Sequence, residues 1–274
     1  MKKLLLAVLV LLVLVGCSSK QEEEDDKTIS VACSPTPHAE ILEKAAEILK
    51  EQGWTLEIKE FEDYVQPIEV VESDDVDANY FAHVPYLNNY NEEKGTHQVV
   101  VAKVHYEPFG IYPGTSDTLE LSDDVVNEII VPNDGTNETR ALLLLQDIGF
   151  ITLPSDTSAE SIVTVNDVVS YEKNIKIVEM EAAQIARVKD SAALVVLNGN
   201  YALAAGLNVS KDALAYEKAD SSAAQTYVNV LATKEDNANN EGLLALKEVL
   251  ESKEIADFIN SKYEGAVVPF NNYD

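Results

Sequence analysis

From Thr28 onward the chain alternates short apolar, strand-like runs with amphipathic helical ones, and that rhythm leaves few architectures open. Thr28 to Cys33 reads as a buried strand. Pro37 to Gln52 reads as an amphipathic helix with apolar Ile41, Leu42, Ala45, Ala46, Ile48 and Leu49, closed by Gly53. Thr55 to Phe61 alternates with period two and is the next strand. Further helices are expected at Pro85 to Lys94, Thr136 to Asp147, Glu181 to Lys189 and Glu241 to Ser252. Further strands are expected at Gln98 to His105, Glu128 to Val131, Asn174 to Glu179, Ala193 to Leu197 and Tyr227 to Ala232. In the helix beginning near Thr136, Thr136 or Asn137 is the expected N-cap and Gly149 the stop. The alternation predicts an α/β fold with mainly parallel sheets. No internal repeat is visible, and Gly114-Thr115-Ser116 lacks the spacing and the lysine of a nucleotide cradle.

The segment before Thr28 is of another kind. Lys2 and Lys3 precede an unbroken apolar run from Leu4 to Val15 that stops at Gly16-Cys17. This is the layout of a secretory leader, too short to span a bilayer comfortably. Leu14-Val15-Gly16-Cys17 is similar to a bacterial lipobox, in which the cysteine thiol is joined to a diacylglycerol before the peptidase cuts ahead of it. The expectation is a signal peptide over 1–16 and a lipidated flexible tether over 17–27, polar and mostly acidic. Each buried methylene contributes about 0.8 kcal/mol, so two or more acyl chains hold a soluble body at the membrane where one does not. The folded part is then expected at the extracytoplasmic face of the cell membrane.

Charge narrows the partners. The chain of 274 residues carries a formal net charge of −28, which becomes −30 once the leader removes two lysines and no acid. Nucleic acid and anionic lipid surfaces are the wrong partners for such a field. The acidity reads as solubility in a salty or basic exterior. Of the two cysteines, Cys17 is committed to lipid and Cys33 is left unpaired, so no disulfide is expected and Cys33 reads as a buried, inert thiol.

Polar and aromatic residues gather beside strand ends, where open α/β sheets hold their ligands. Three clusters stand out: Asp63-Tyr64-Val65-Gln66-Pro67, the run Asp77 to Tyr86 with three aromatics and a histidine in its last seven residues, and Pro132 to Arg140. Leu197-Asn198-Gly199-Asn200-Tyr201-Ala202 and Tyr227-Val228-Asn229-Val230 follow. With Pro35 to Leu42 near one end and Gly265 to Pro269 near the other, these strings resemble the methionine-binding lipoproteins of bacterial ABC importers, the MetQ/NlpA family, over nearly all of the mature chain. The resemblance implies a two-lobed periplasmic-binding-protein-like fold of type II, with the ligand cleft between lobes. Lobe one is expected over 28–111 plus 228–274 and lobe two over 112–227, with two strand crossings at the hinge. It further implies a non-enzymatic binder, monomeric and without cofactor. Such a protein delivers methionine, a closely related amino acid or a methionine-containing dipeptide to the permease and ATPase subunits of an importer.

Carried over by motif, Tyr64, Phe81, His83 and Tyr86 resemble the side-chain pocket, Arg140 the carboxylate clamp, and Asn198 and Asn229 the groups that fix the amino-acid backbone. The chemistry agrees. A thioether gains about 0.3–1.5 kcal/mol from each sulfur–aromatic contact. A planar arginine suits a carboxylate bidentately, and the first turns of a helix favour an anion. Ile68 departs from the asparagine common in the family and would alter ligand shape or hydration if it faced the cleft; Asn200 ranks below Asn198.

Rival readings remain. Catalysis would need a nucleophile and base from Ser34, Cys33, His38, His83, His97 and His105, yet no Gly-x-Ser-x-Gly elbow or His-Glu-x-x-His helix occurs. A metal-binding surface lipoprotein could converge His83, His105 and acidic residues, although the spacings match no familiar ligand set. A purely interacting lipoprotein predicts an absent or filled cleft. If the lipobox reading holds, Cys17→Ser leaves the protein unprocessed or releases it, and mass spectrometry of the wild type finds a cut, acylated N-terminus; an intact, unmodified one contradicts the anchor.

Overall fold

A computed structural model describes residues 27–218 and 225–271. The expected leader and all of the tether but Lys27 lie outside the described residues. No helix among the described residues is long and apolar enough to cross a membrane.

Two sheets carry the fold. The first comprises β1 (Thr28–Cys33), β2 (Thr55–Glu60), β3 (Ala78–His83), β4 (Gln98–Tyr106), β12 (Val228–Lys234) and β13 (Val268–Pro269), ordered β13-β4-β12-β3-β1-β2. The second comprises β5 (Gly110–Pro113), β6 (Asn127–Pro132), β9 (Ile175–Met180), β10 (Leu194–Leu197) and β11 (Ala215–Tyr216), ordered β11-β5-β10-β6-β9. A small ribbon pairs β7 (Ile151–Thr152) with β8 (Ser170–Tyr171). The molecule is thus the expected two-lobed α/β protein.

The mainly parallel expectation needs correction. β1 pairs in parallel with β2 and β3, and β6 with β9 and β10, but β12 runs antiparallel to both β3 and β4, and β5 to both β10 and β11. The cause is topological: β5 follows a crossing from the first sheet, and β12 follows the return. β5 pairs through its whole length in the second sheet, from Gly110 against Leu197 to Pro113 against Leu194, so the expected boundary at 111/112 cuts a strand.

Helices cover the sheets where their apolar positions repeat. α1 (Glu40–Glu51) buries Ile41, Leu42, Ala45 and Leu49 against the first sheet, and Gly53, at φ +84°, turns the chain into β2. Cys33 is buried beside it, and burial, with Glu60 and Glu43 nearby, pushes its thiol up to about 12, so it is inert. The expected helix at Glu181 to Lys189 is only a turn, α5 (Ala182–Ile185), running into a 3₁₀ segment, Ala186–Ser191. The helix at Glu241–Leu250 is followed by an unanticipated one, Lys253–Tyr263, for which Ser252 is the cap.

β3 was missed because it lacks a period-two pattern. All six of its residues are buried, Ala78 and Tyr80 in one apolar cluster and Phe81 and Ala82 in another, so neither face reads as polar. Also unanticipated are α2 (Gln66–Glu72), β5 and α6 (Gly199–Ala204). α3 (Val84–Lys94) starts directly from β3 with His83 as its N-cap.

α4 (Gly135–Asp147) is capped by Asp134, not by Thr136 or Asn137. Asp134 has the extended backbone a cap requires, and its Oδ1 accepts the Asn137 backbone N–H at 3.0 Å, while Thr136 and Asn137 already lie in the first turn. Asp134→Ala is expected to cost about 1 kcal/mol or more. Chemical denaturation measures this as an earlier midpoint at unchanged slope; an unshifted midpoint rejects the cap.

Candidate functional site

Between the two sheets, the ends of β3 and β12 face the first turns of α4 and α6. The space there free of protein atoms is about 330 Å³, part of it open to solvent. Tyr64, Phe81, His83, Tyr86, Arg140, Asn198 and Asn229, scattered over 166 positions of sequence, all line it. Ala82, Glu107, Asn137, Gly199 and Asn200 complete the wall.

One side is aromatic. The rings of Tyr64, Phe81 and Tyr86 lie 5.6 to 6.0 Å apart, tilted or edge-to-face, and Tyr201 packs on Tyr64 at 5.0 Å. The Tyr86 hydroxyl donates to the Tyr64 carbonyl at 3.2 Å, and the Tyr64 hydroxyl donates across the cleft to Asn200 Oδ1 at 2.6 Å. Asn200 therefore matters to the wall although sequence reasoning ranked it low. Ile68 is not among the lining residues: it is fully buried behind the wall in the Phe81–Tyr86 cluster. Its difference from the family asparagine alters the packing behind the site.

The other side is polar, with each amide oriented by its partners. His83 Nδ1 accepts the Tyr86 N–H at 3.1 Å, so its Nε2 carries the proton and donates to Asn137 Oδ1 at 3.0 Å. Asn198 Nδ2 donates to the same oxygen at 2.9 Å, and Asn137 Nδ2 donates to Asp134 Oδ1 at 2.8 Å. His38 Nε2 donates to Asn229 Oδ1 at 3.0 Å. These bonds leave Asn198 its oxygen and Asn229 its Nδ2 for the cavity.

Two charged groups are held out of water. Arg140 Nε and Nη2 donate to Glu217 Oε1 and Oε2 at 2.8 and 2.6 Å, and Nη2 also donates to the Glu107 carbonyl at 2.8 Å. The guanidinium lies 4.3 Å from the Tyr227 ring centre and 4.7 Å from that of Phe109. Burial works against its charge, but Glu217 outweighs burial and its pKa is raised. The expected bidentate clamp is corrected by this geometry: the Nε–Nη2 fork is filled, which leaves Nη1.

Glu107 lines the cavity at 5% exposure. Burial raises its pKa, opposed by His38, Arg140 and the Asn200 N–H. His105 Nε2 donates to its Oε1 at 2.8 Å while His105 Nδ1 accepts from Tyr80, and Tyr80's hydroxyl is fully desolvated there. A β-carbon on Gly199 would lie 2.6 Å from Glu107 Cβ, so only glycine lets Glu107 approach α6 this closely. Sequence reasoning did not select Glu107, Asn137, Gly199 or Glu217. Asn137 stood within a noted cluster, but nothing local marks one glutamate out.

His38, His105 and Glu107 bring their ligand atoms within 4.8 Å of one another, whereas His83 turns to Asn137 and is not part of that group. The expected convergence of His83 with His105 is therefore corrected. Of the three, His105 is hydrogen-bonded to Glu107 and Tyr80, and His38 to Asn229.

The NlpA lipoprotein family model matches residues 29–271. The chain is 38% identical over 247 residues to the methionine-binding lipoprotein MetQ of Bacillus subtilis (strain 168), covering 89% of this chain and 88% of that one. It is similar to a solved chain from Ruminococcus gnavus ATCC 29149, with TM-score 0.86, 59% identity and coverage of 89% and 100%. A nutrient binding protein from Burkholderia cenocepacia, solved bound to methionine, aligns with TM-score 0.83 at 34% identity over 89% and 100% of the two chains.

Burial holds His38 down at about 4 and His83 and His105 at about 3, all below the ordinary 6.5. They are neutral at pH 7, so neither His38, 3.4 Å from the Glu107 carboxylate, nor His105, which donates to it at 2.8 Å, forms an ion pair with Glu107. Between the folded values and 6.5 the unfolded chain binds protons that the folded chain does not. The stability these burials leave intact is complete above 6.5 and is lost as pH falls toward the folded values. Histidine ring NMR is expected to show these three rings neutral from about pH 8 to about pH 5; a midpoint near 6.5 in any of them contradicts the burial.

Proposed function

This chain belongs to the NlpA lipoprotein family, and from that premise we propose that it is a lipid-anchored substrate-binding protein taking methionine, or a close relative, at the extracytoplasmic face and passing it to an ABC importer. Residues 28–106 with 228–271 form one lobe and 110–216 the other; Glu107 to Phe109 lie on the outgoing crossing, and Glu217 and Tyr227 on the described ends of the return. The observation that carries the reading is one cavity with an aromatic sleeve on one side and oriented donors and acceptors on the other.

The thioether lies among Tyr64, Phe81 and Tyr86, where sulfur–aromatic contacts contribute about 0.3–1.5 kcal/mol each. The α-carboxylate meets Arg140 Nη1 and Asn229 Nδ2. The ammonium meets Glu107 and Asn198 Oδ1. Charge favours a ligand that carries an ammonium: Arg140 is already paired with Glu217, whereas the histidines beside Glu107 are neutral, so Glu107 is the counter-charge left for a cationic group and a ligand bearing only a carboxylate would find no free cation. Nothing in the arrangement requires bond breaking; it recognises and holds.

Calorimetry on ligand-stripped protein tests the assignment, with methionine expected as the best free amino acid. Arg140→Ala is expected to weaken it at least tenfold, since unpairing a buried charge costs about 2–5 kcal/mol and each 1.4 kcal/mol is roughly a factor of ten. Phe81→Ala is expected to weaken methionine more than alanine or serine. Unchanged affinity in Arg140→Ala refutes the clamp. Tighter binding of a metal or a charged amino acid refutes the ligand.

A further inference from the structure

Glu217 lies outside the cavity wall, on the chain returning from β11 toward the first sheet. Its carboxylate is 9% exposed and collects four donors: Arg140 Nε and Nη2 at 2.8 and 2.6 Å, the Tyr106 hydroxyl at 2.5 Å and the Phe109 N–H at 2.9 Å. Its own N–H donates to the Phe109 carbonyl at 3.0 Å. Tyr106 ends β4, Phe109 lies on the outgoing crossing, and Arg140 belongs to α4. One side chain therefore joins both crossings between the sheets to the guanidinium that faces the ligand.

We propose that Glu217 is a positioning residue for ligand capture: it fixes the Arg140 fork, so that Nη1 alone is presented to the carboxylate, and ties that presentation to the interlobe crossings. The proposal rests on the methionine reading above for its ligand, but not for the geometry of Arg140. A guanidinium stacked against Tyr227 and Phe109 can still turn about its terminal side-chain torsions, and ring contacts do not select which nitrogens face the cavity. The two parallel bonds to Glu217 do, because a carboxylate matches the guanidinium edge in one orientation. With Glu217 neutral, that edge is released and Arg140 would turn its fork onto Glu107, whose carbonyl it already meets, and away from the ligand carboxylate.

Two measurements test this. In the unliganded protein, the Arg140 Nε–H is expected to give a slowly exchanging NMR signal that is lost in Glu217→Gln and partly kept in Glu217→Asp; a signal unchanged in Glu217→Gln overturns the positioning whatever the ligand. In calorimetry, wild type is expected to prefer methionine over methioninamide, which lacks the carboxylate. Glu217→Gln is expected to lower methionine affinity about tenfold, to shrink that preference to about the value in Arg140→Ala, and to add nothing in the double variant. Equal losses for methionine and methioninamide, or additive losses in the double variant, overturn the proposal and leave Glu217 a structural hinge residue. If wild type binds no methionine while the Nε–H behaves as expected, the ligand reading fails and the positioning of Arg140 stands.

Discussion

A guanidinium taken out of water sets the terms for the cleft. Arg140 is 3% exposed, and a buried cation left unpaired costs several kilocalories per mole, so its surroundings must neutralise it in a fixed geometry. Glu217 supplies the charge, the Glu107 carbonyl a further acceptor, and Tyr106, Phe109 and Tyr227 the π faces. Those groups come from the first sheet and from both crossings between the sheets, so a shift of either crossing disturbs the pair. α4 then carries the consequence along its length. Asp134 caps it, Asn137 sits one turn in, and Arg140 follows three residues later on the same side. The cap that starts the helix thus also aims the amide that His83 and Asn198 share.

What the sequence discloses and what it hides divide along physical lines. Elements with one solvated face announce themselves by period: α1 at helical spacing and β2 by alternation were both legible. β3 was hidden because both its faces are buried, and its polar Asn79 and His83 break any apolar run although each finds a partner inside. The cap of α4 was misplaced by two or three residues because Thr136 and Asn137 have capping chemistry as good as Asp134's, and only backbone angles decide. Residues borne on distinctive strings, such as Tyr64, Phe81, His83 and Arg140, were legible as a group. Glu107 and Glu217 were not, being two among 48 acidic residues. Their significance comes from burial and from partners 33 and 77 positions away, which no local pattern encodes.

The walls of the cleft separate selectivity from grip. Phe81 and Tyr86 line the cavity, and under the proposed assignment they meet the ligand's side chain and so discriminate between ligands. Beside the exposed Lys211–Glu264 ion pair, three hydrogen bonds among the described residues join the lobes without any ligand atom: Tyr64 to Asn200 at 2.6 Å, His83 to Asn137 at 3.0 Å, and the Tyr201 hydroxyl to the Glu62 carbonyl at 3.0 Å. Opening the cleft breaks all three, so they favour the closed arrangement for every ligand alike. Apparent affinity scales with the fraction of molecules in the competent arrangement, and a tenfold fall in that fraction weakens all ligands about tenfold without changing their order. Tyr201 is the informative case, because it does not line the cavity yet packs on Tyr64, which does. Its ring supports the aromatic wall while its hydroxyl holds the lobes together. Specificity therefore resides in the groups that meet the ligand, and affinity is shared between them and contacts the ligand never reaches.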